Sequence, residues 1–152
     1  MTGWLARALQ RLVGAWTARF REPDLGRRGE NVALHRLRAL GAELLGQRVR
    51  TNEGELDLVL RLDGRLLCVE VKSSRWIGAG ATFRPGNRFS LRQEQRQVQA
   101  AQALARRWTP GCEPRRLLAE LWFDDDGGLV QERWHELESR PRRPRDARQF
   151  RP

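Results

Sequence analysis

Residues 54–74 read GELDLVLRLDGRLLCVEVKSS. Two runs of alternating apolar residues flank Asp63-Gly64, and Asp-Gly between such runs is the strongest short-range signal for a β-hairpin. A two-residue loop at that point sets the pairing, because facing residues then carry numbers that add to 127, as Asp63 and Gly64 do. Leu60 faces Leu67, Leu58 faces Val69 and Leu56 faces Val71, which makes one apolar face for helices to cover. The other face pairs Val59 with Cys68, Asp57 with Glu70 and Glu55 with Lys72.

Four charges therefore gather on a face that is otherwise apolar. Directly opposed strand residues hold their Cβ atoms roughly 4.5–5.5 Å apart. Two carboxylates that close repel unless a cation or a shared proton lies between them. Oxygen donors of this kind suit a hard divalent cation, Mg²⁺ or Mn²⁺. Such an ion between Asp57 and Glu70 would bind a phosphodiester oxygen and lower the pKa of a bound water. Lys72, on the same face two residues after Glu70, would orient that water or stabilise charge on the phosphate. The bland alternative is a solvent-facing charged ladder with Glu55–Lys72 as a surface ion pair, worth at most about 1 kcal/mol.

Lys72 is also the single lysine among 29 basic residues. Lysine is a compact point charge that deprotonates readily, which arginine does not. The net charge is +10, but the ends carry most of it: residues 1–23 contribute +3, residues 139–152 contribute +5, and the long middle only +2. Arg140, Arg142, Arg143 and Arg145 in SRPRRPRDARQFRP are the expected contacts to a nucleic-acid backbone. Cys68 and Cys112 show neither metal-ligand spacing nor a disulfide framework, so a reducing cytoplasm is the expected compartment. No run approaches the roughly 18 apolar residues of a membrane-spanning helix.

Along the chain, WLARALQRLVGAWTARF (4–20) reads as an amphipathic basic helix, docked on its own domain or lying on a membrane surface. GRRGENVALHRLRAL (26–40) is a second helix ended by Gly41, with Ala33, Leu34, Leu37 and Leu40 inward and Glu30 extending that stripe. A strand is expected over 43–51, and a glycine-rich connector over 76–87. A long helix follows over 89–108 with a stripe of Leu91, Gln95, Val98, Ala101, Ala105 and Trp108. Gln95 is either a boundary residue or a polar group aimed at the charged cluster. Strand 116–123, a DDDGG turn and LVQERW make a second hairpin, and the proline-arginine composition after Ser139 predicts a disordered tail. Three parts result: a helix in 1–23, one α/β domain over 24–138, and a tail over 139–152.

The blocks GRRGENVALHRLRALGAELLGQRVR, GELDL and VEVKSS, in that order, resemble the YraN family of predicted endonucleases. The pattern Gly-Glu-x-Asp followed by Glu-x-Lys on the next strand resembles the wider PD-(D/E)XK nuclease superfamily. That resemblance implies a restriction-endonuclease-like core, a mixed sheet flanked by helices. It implies Asp57 and Glu70 as ligands of Mg²⁺ or Mn²⁺ with Glu30 as a supporting acid. Lys72 would be the catalytic lysine, and Gln95 matches a glutamine of the family's second helix. The expected reaction is hydrolysis of phosphodiester bonds in nucleic acid, DNA rather than RNA. A nuclease of this size can use a second copy of itself to cut both strands, so a homodimer is one expected assembly. The competing expectation is a nucleic-acid-binding accessory protein that keeps the fold without turnover.

Overall fold

The computed structural model describes residues 3–11, 24–78 and 85–139. The order of elements is α1 (Trp4–Arg11), α2 (Leu25–Ala39), β1 (Glu43–Arg50), β2 (Glu55–Leu62), β3 (Arg65–Arg75), a 3₁₀ turn (Pro85–Arg88), α3 (Leu91–Trp108), β4 (Arg115–Phe123) and β5 (Leu129–Leu137). The five strands form one mixed sheet in the order β1-β2-β3-β4-β5, flanked by three helices, as an α/β fold. All neighbours are antiparallel except β3 and β4, which run parallel. Parallel neighbours need a crossover connection, and α3 supplies it. The Arg/Pro-rich stretch with Arg140, Arg142, Arg143 and Arg145 lies outside the described residues, as do positions 12–23.

The first hairpin turns as its sequence dictates. Asp63 (φ 52°) and Gly64 (φ 74°) both occupy the left-handed region, the signature of a type I′ turn whose twist matches that of the strands. Leu62↔Arg65, Arg61↔Leu66, Leu60↔Leu67, Val59↔Cys68 and Leu58↔Val69 all keep the expected register. On one face Leu58, Leu60, Leu67 and Val69 pack with Ala33, Leu34 and Leu37 of α2 and with Leu5 and Leu9 of α1. The described part of the N-terminal helix thus spends its apolar stripe on its own domain. On the other face Val59, Leu66 and Cys68 pack under Ala100, Ala101, Leu104 and Ala105 of α3.

Two expectations need correction. Regular alternation puts Leu56 beside Leu58, yet Leu56 joins the α3 side while Leu58 stays with α2. The break coincides with Arg48, a non-glycine residue at φ 49° on the neighbouring strand. Gln47 pairs with Leu58 and Val49 with Leu56, which leaves Arg48 and Asp57 between those pairs; the register shift of β1 itself lies earlier, between Leu44 and Gly46. In α3, Val98, Ala101 and Ala105 are buried as expected, but Leu91, Gln95 and Trp108 are exposed. The inward residues are Gln97, Ala100 and Leu104, because the helix begins only after Ser90 and meets the sheet on a shifted face. Ser90 and Gln93 fix that start by a capping box, each side chain taking the other's backbone N–H at 3.2 and 3.0 Å.

Helix α2 reaches β3 at Gly29. A Cβ there would stand 1.9 Å from Ser73 Oγ and 3.1 Å from Val71 Cγ1, so only glycine lets the helix lie this close. Gly29→Ala should therefore cost about 1–3 kcal/mol by overpacking, measured as a lower urea midpoint at constant slope. Ser73→Ala in the same chain should recover part of the loss, since it removes the nearest atom.

Candidate active site

The antiparallel ladder between β2 and β3 stops after Leu58↔Val69, while β3 continues beside β4 from Leu67↔Arg115 to Arg75↔Phe123. Where the strands part, Val71 N–H no longer finds a strand carbonyl and donates to Asp57 Oδ2 at 2.8 Å. Glu70 and Lys72 follow on one face, and Lys72 Nζ lies 2.7 Å from Glu70 Oε1. Their side chains are only 12% and 17% exposed respectively. A solvent-facing ladder would not bury them so. The Phe89 ring lies 5.9 Å from Lys72 Nζ, a cation–π contact from the segment before α3.

Asp57 holds its proton far longer than an ordinary aspartate. Burial is the main cause, and Glu70 beside it adds repulsion; the Val71 N–H and Lys72 act the other way. The result is a carboxyl pushed up to about 7. Glu30 contributes to the same upward push, so α2 brings it near enough to be felt. Its carboxylate is clasped by Arg48, with Nη2 to Oε1 at 3.0 Å and Nε to Oε2 at 3.2 Å.

Two further candidates stand elsewhere. Glu55, expected opposite Lys72, pairs across the other strand boundary with Arg50 at 3.2 Å and is largely exposed. The parting of β2 from β3 removes the facing position that would have joined them. Gln95 is exposed on α3, and the inward glutamine is Gln97. Gln97 Oε1 accepts two hydrogen bonds from the fully buried Arg116, at 3.2 and 2.7 Å. Burial lowers the pKa of that guanidinium, while Glu94, Cys68 and Glu70 act against the shift.

A second polar group escapes the sequence reading. Glu120, fully buried on β4, is the lateral neighbour of Lys72. Its Oε1 accepts the Gly86 backbone N–H at 2.8 Å, and its Oε2 lies 2.6 Å from His135 Nε2. The signal was present: Glu120 interrupts the apolar run LLAELWF much as Glu70 interrupts its own strand. His135, far from any other histidine or cysteine in the sequence, meets this carboxylate only through the β4–β5 pairing. The three aspartates after Phe123 are turn residues, with Asp124 Oδ1 accepting Gly128 N–H at 2.7 Å.

Residues 29–124 match the model of the "Uncharacterised protein family UPF0102", and this stretch holds Glu30, Asp57, Glu70, Lys72 and Glu120. The chain belongs to that family, UPF0102, the YraN family. A UPF0102 protein of Clavibacter michiganensis subsp. michiganensis is 45% identical over 60 residues, covering 40% of this chain and 51% of the relative. One from Frankia casuarinae is 39% identical over 87 residues, 55% of this chain and 65% of the relative. One from Rhizorhabdus wittichii is 39% identical over 92 residues, 60% and 74% respectively. The chain spans about half the length of several UPF0102 relatives it matches. No helix among the described residues is long and apolar enough to cross a membrane.

The raised Asp57 carboxyl has a measurable consequence. An acid whose folded pKa is above its unfolded value favours folding below about pH 4, and that benefit is lost as pH rises toward 7. Asp57→Asn keeps an acceptor for Val71 N–H and removes the titration. Each tenfold change in proton affinity corresponds to about 1.4 kcal/mol, and a chain of this size moves about 2–4 °C per kcal/mol. Metal-free Asp57→Asn should therefore melt several degrees above wild type at pH 8, with the gap closing near pH 4. Parallel melting curves across that range would refute the buried, repelled state of Asp57.

Proposed function

We propose that this protein is a metal-dependent endonuclease hydrolysing phosphodiester bonds in nucleic acid, DNA rather than RNA. The carrying observation is the convergence of Asp57, Glu70 and Lys72 at the parting of β2 from β3. The antiparallel β1–β2–β3 unit, crossover helix and parallel β4 support reading this fold as a restriction-endonuclease-like core of the PD-(D/E)XK type.

The residues fit a hard divalent cation. Among the described residues no group of three or more His, Cys, Asp and Glu is arranged to hold a metal ion. Mg²⁺, however, commonly takes one or two carboxylates and fills its shell with water and substrate phosphate oxygens. Asp57 and Glu70 supply those two carboxylates, and the repulsion that raises the Asp57 pKa is what a cation would relieve. Bound there, Mg²⁺ or Mn²⁺ would polarise the phosphate and make water a stronger nucleophile at neutral pH. Lys72 places one of its three ammonium donors on Glu70, which fixes the side chain, and its charge would stabilise a phosphate bound beside the two carboxylates. Val71 N–H holds the Asp57 carboxylate in one orientation, so ordering it costs nothing further on binding.

The competing reading is an accessory protein that binds nucleic acid without cutting it. Labelled single-stranded, branched and flapped DNA and RNA, incubated with Mn²⁺ or Mg²⁺, separate the two. Wild type should cleave, and identically purified Asp57→Ala and Lys72→Ala should each lose at least about a hundredfold in rate, as expected when transition-state charge stabilisation is removed. Mn²⁺ should also raise the melting midpoint of wild type and leave that of Asp57→Ala unchanged. Equal behaviour of all three proteins, with nucleic-acid binding intact, would overturn the nuclease reading in favour of the accessory one.

A further inference from the structure

Beside the cluster, between α2 and β1, lies a polar cleft of about 260 Å³ lined by Arg27, Glu30, Asn31, Gln47 and Arg48. Two guanidinium groups and two amides are the donor set that holds phosphate oxygens in nucleic-acid complexes. Arg48 is the pivotal residue. Its left-handed backbone is strained for a residue with a Cβ, and strain of this sort persists where the surrounding structure imposes it. It lies on β1 between Gln47 and Val49, which pair with Leu58 and Leu56 on either side of Asp57. Its guanidinium forks onto Glu30 while 40% of the side chain stays exposed. Arg27 lies 3.9 Å from Asp24, a long contact, and is 60% exposed.

We propose that this cleft is a phosphate-binding subsite, in which a backbone phosphate beside the scissile one takes Arg48 from Glu30 and leaves the Glu30 carboxylate to the cation at Asp57 and Glu70. The inference rests on the nuclease reading and adds to it the place where the substrate strand is gripped. Arginine binds phosphate bidentately with charge-assisted hydrogen bonds, so the exchange keeps Arg48 satisfied. Glu30 does not stay satisfied: its side chain is only 12% exposed, and it already lies close enough to Asp57 to raise that residue's pKa. Freed from Arg48, it is a third carboxylate beside a pair that wants a cation. Nucleic acid and metal then bind with positive coupling, which must be reciprocal. Before substrate arrives Arg48 occupies the third acid, consistent with the two-carboxylate site described above.

The test uses the full chain, a short fluorescein-labelled single-stranded DNA, and Mn²⁺. In EDTA, Arg48→Ala should weaken DNA binding about tenfold, the scale of a lost hydrogen-bonded charge. It should also lower the slope of log affinity against log salt by about one. Without DNA, the same variant should bind Mn²⁺ several-fold more tightly by calorimetry, because Glu30 is released. Glu30→Gln should do the reverse, binding DNA more tightly in EDTA and Mn²⁺ more weakly. Arg48→Lys keeps the charge and loses the fork, so its salt slope should match wild type at reduced affinity; it also serves if the alanine variant fails to fold. Unchanged DNA affinity and slope in Arg48→Ala would overturn the subsite. Lost DNA affinity with unchanged Mn²⁺ affinity would overturn the release of Glu30. If wild type binds no Mn²⁺, with or without DNA, the nuclease reading and the release of Glu30 fail together, while the EDTA measurements still decide the subsite.

Discussion

One backbone hydrogen bond organises this molecule: Val71 N–H donates to the side chain of Asp57 instead of to a strand carbonyl. It marks the point where β2 leaves β3 while β3 keeps its full pairing with β4. The gap makes Asp57 sensitive to groups from both layers. Glu30 reaches it from α2, and Glu70 and Lys72 act on it from β3. An uninterrupted ladder would have left Asp57 and Glu70 as opposed residues on a pleated face. It would also have left no gap between β2 and β3.

The surrounding packing serves that gap. Gly29 lets α2 press against Val71 and Ser73, which sets how near Glu30 can come to the gap. Gly86 performs the corresponding task on the other layer. A Cβ there would lie 2.6 Å from Glu120 Oε1, so the 3₁₀ turn rests directly on that carboxylate. Farther out, the buried pair Arg36–Glu132 at 3.1 Å ties α2 to β5. Buried charges of this kind contribute little net stability but penalise any arrangement that separates them. At the site itself the balance is unfavourable in isolation. Asp57, raised to about 7 by burial and by Glu70, is where the local packing is least favourable on its own.

Asp57, Glu70 and Lys72 were readable as neighbours because the two-residue turn carries its register to Leu58↔Val69, one residue short of Asp57 and Glu70. Glu55 lies beyond the parting, so the same arithmetic carried it to the wrong partner. Gln95, open between a boundary position and one aimed at the cluster, stands on the exposed side. A helical stripe rich in alanine and glutamine leaves the azimuth of the helix nearly undetermined, and a small rotation exchanges Gln95 for Gln97. Gln97 owes its burial to Arg116, a residue nineteen positions away whose guanidinium needed acceptors inside the protein. The Glu120–His135 pair joins two strands whose side chains meet only once the second hairpin is in place.

By itself the sequence determined what short-range chemistry controls: the type I′ turn at Asp63-Gly64, the register from Leu62↔Arg65 to Leu58↔Val69, and a run of charges too costly to place on an apolar face without purpose. It also carried the family, whose blocks run from Gly26 to Ser74 and include parts of both strands of that hairpin. Only the tertiary structure decided the parallel alignment of β3 with β4, the point at which β2 departs, and the strained Arg48 that holds Glu30. A turn fixes its neighbours through a handful of dihedral angles. A crossover through α3 leaves the register of the strands it joins to side-chain packing and buried polar pairing, which no local stretch of sequence contains.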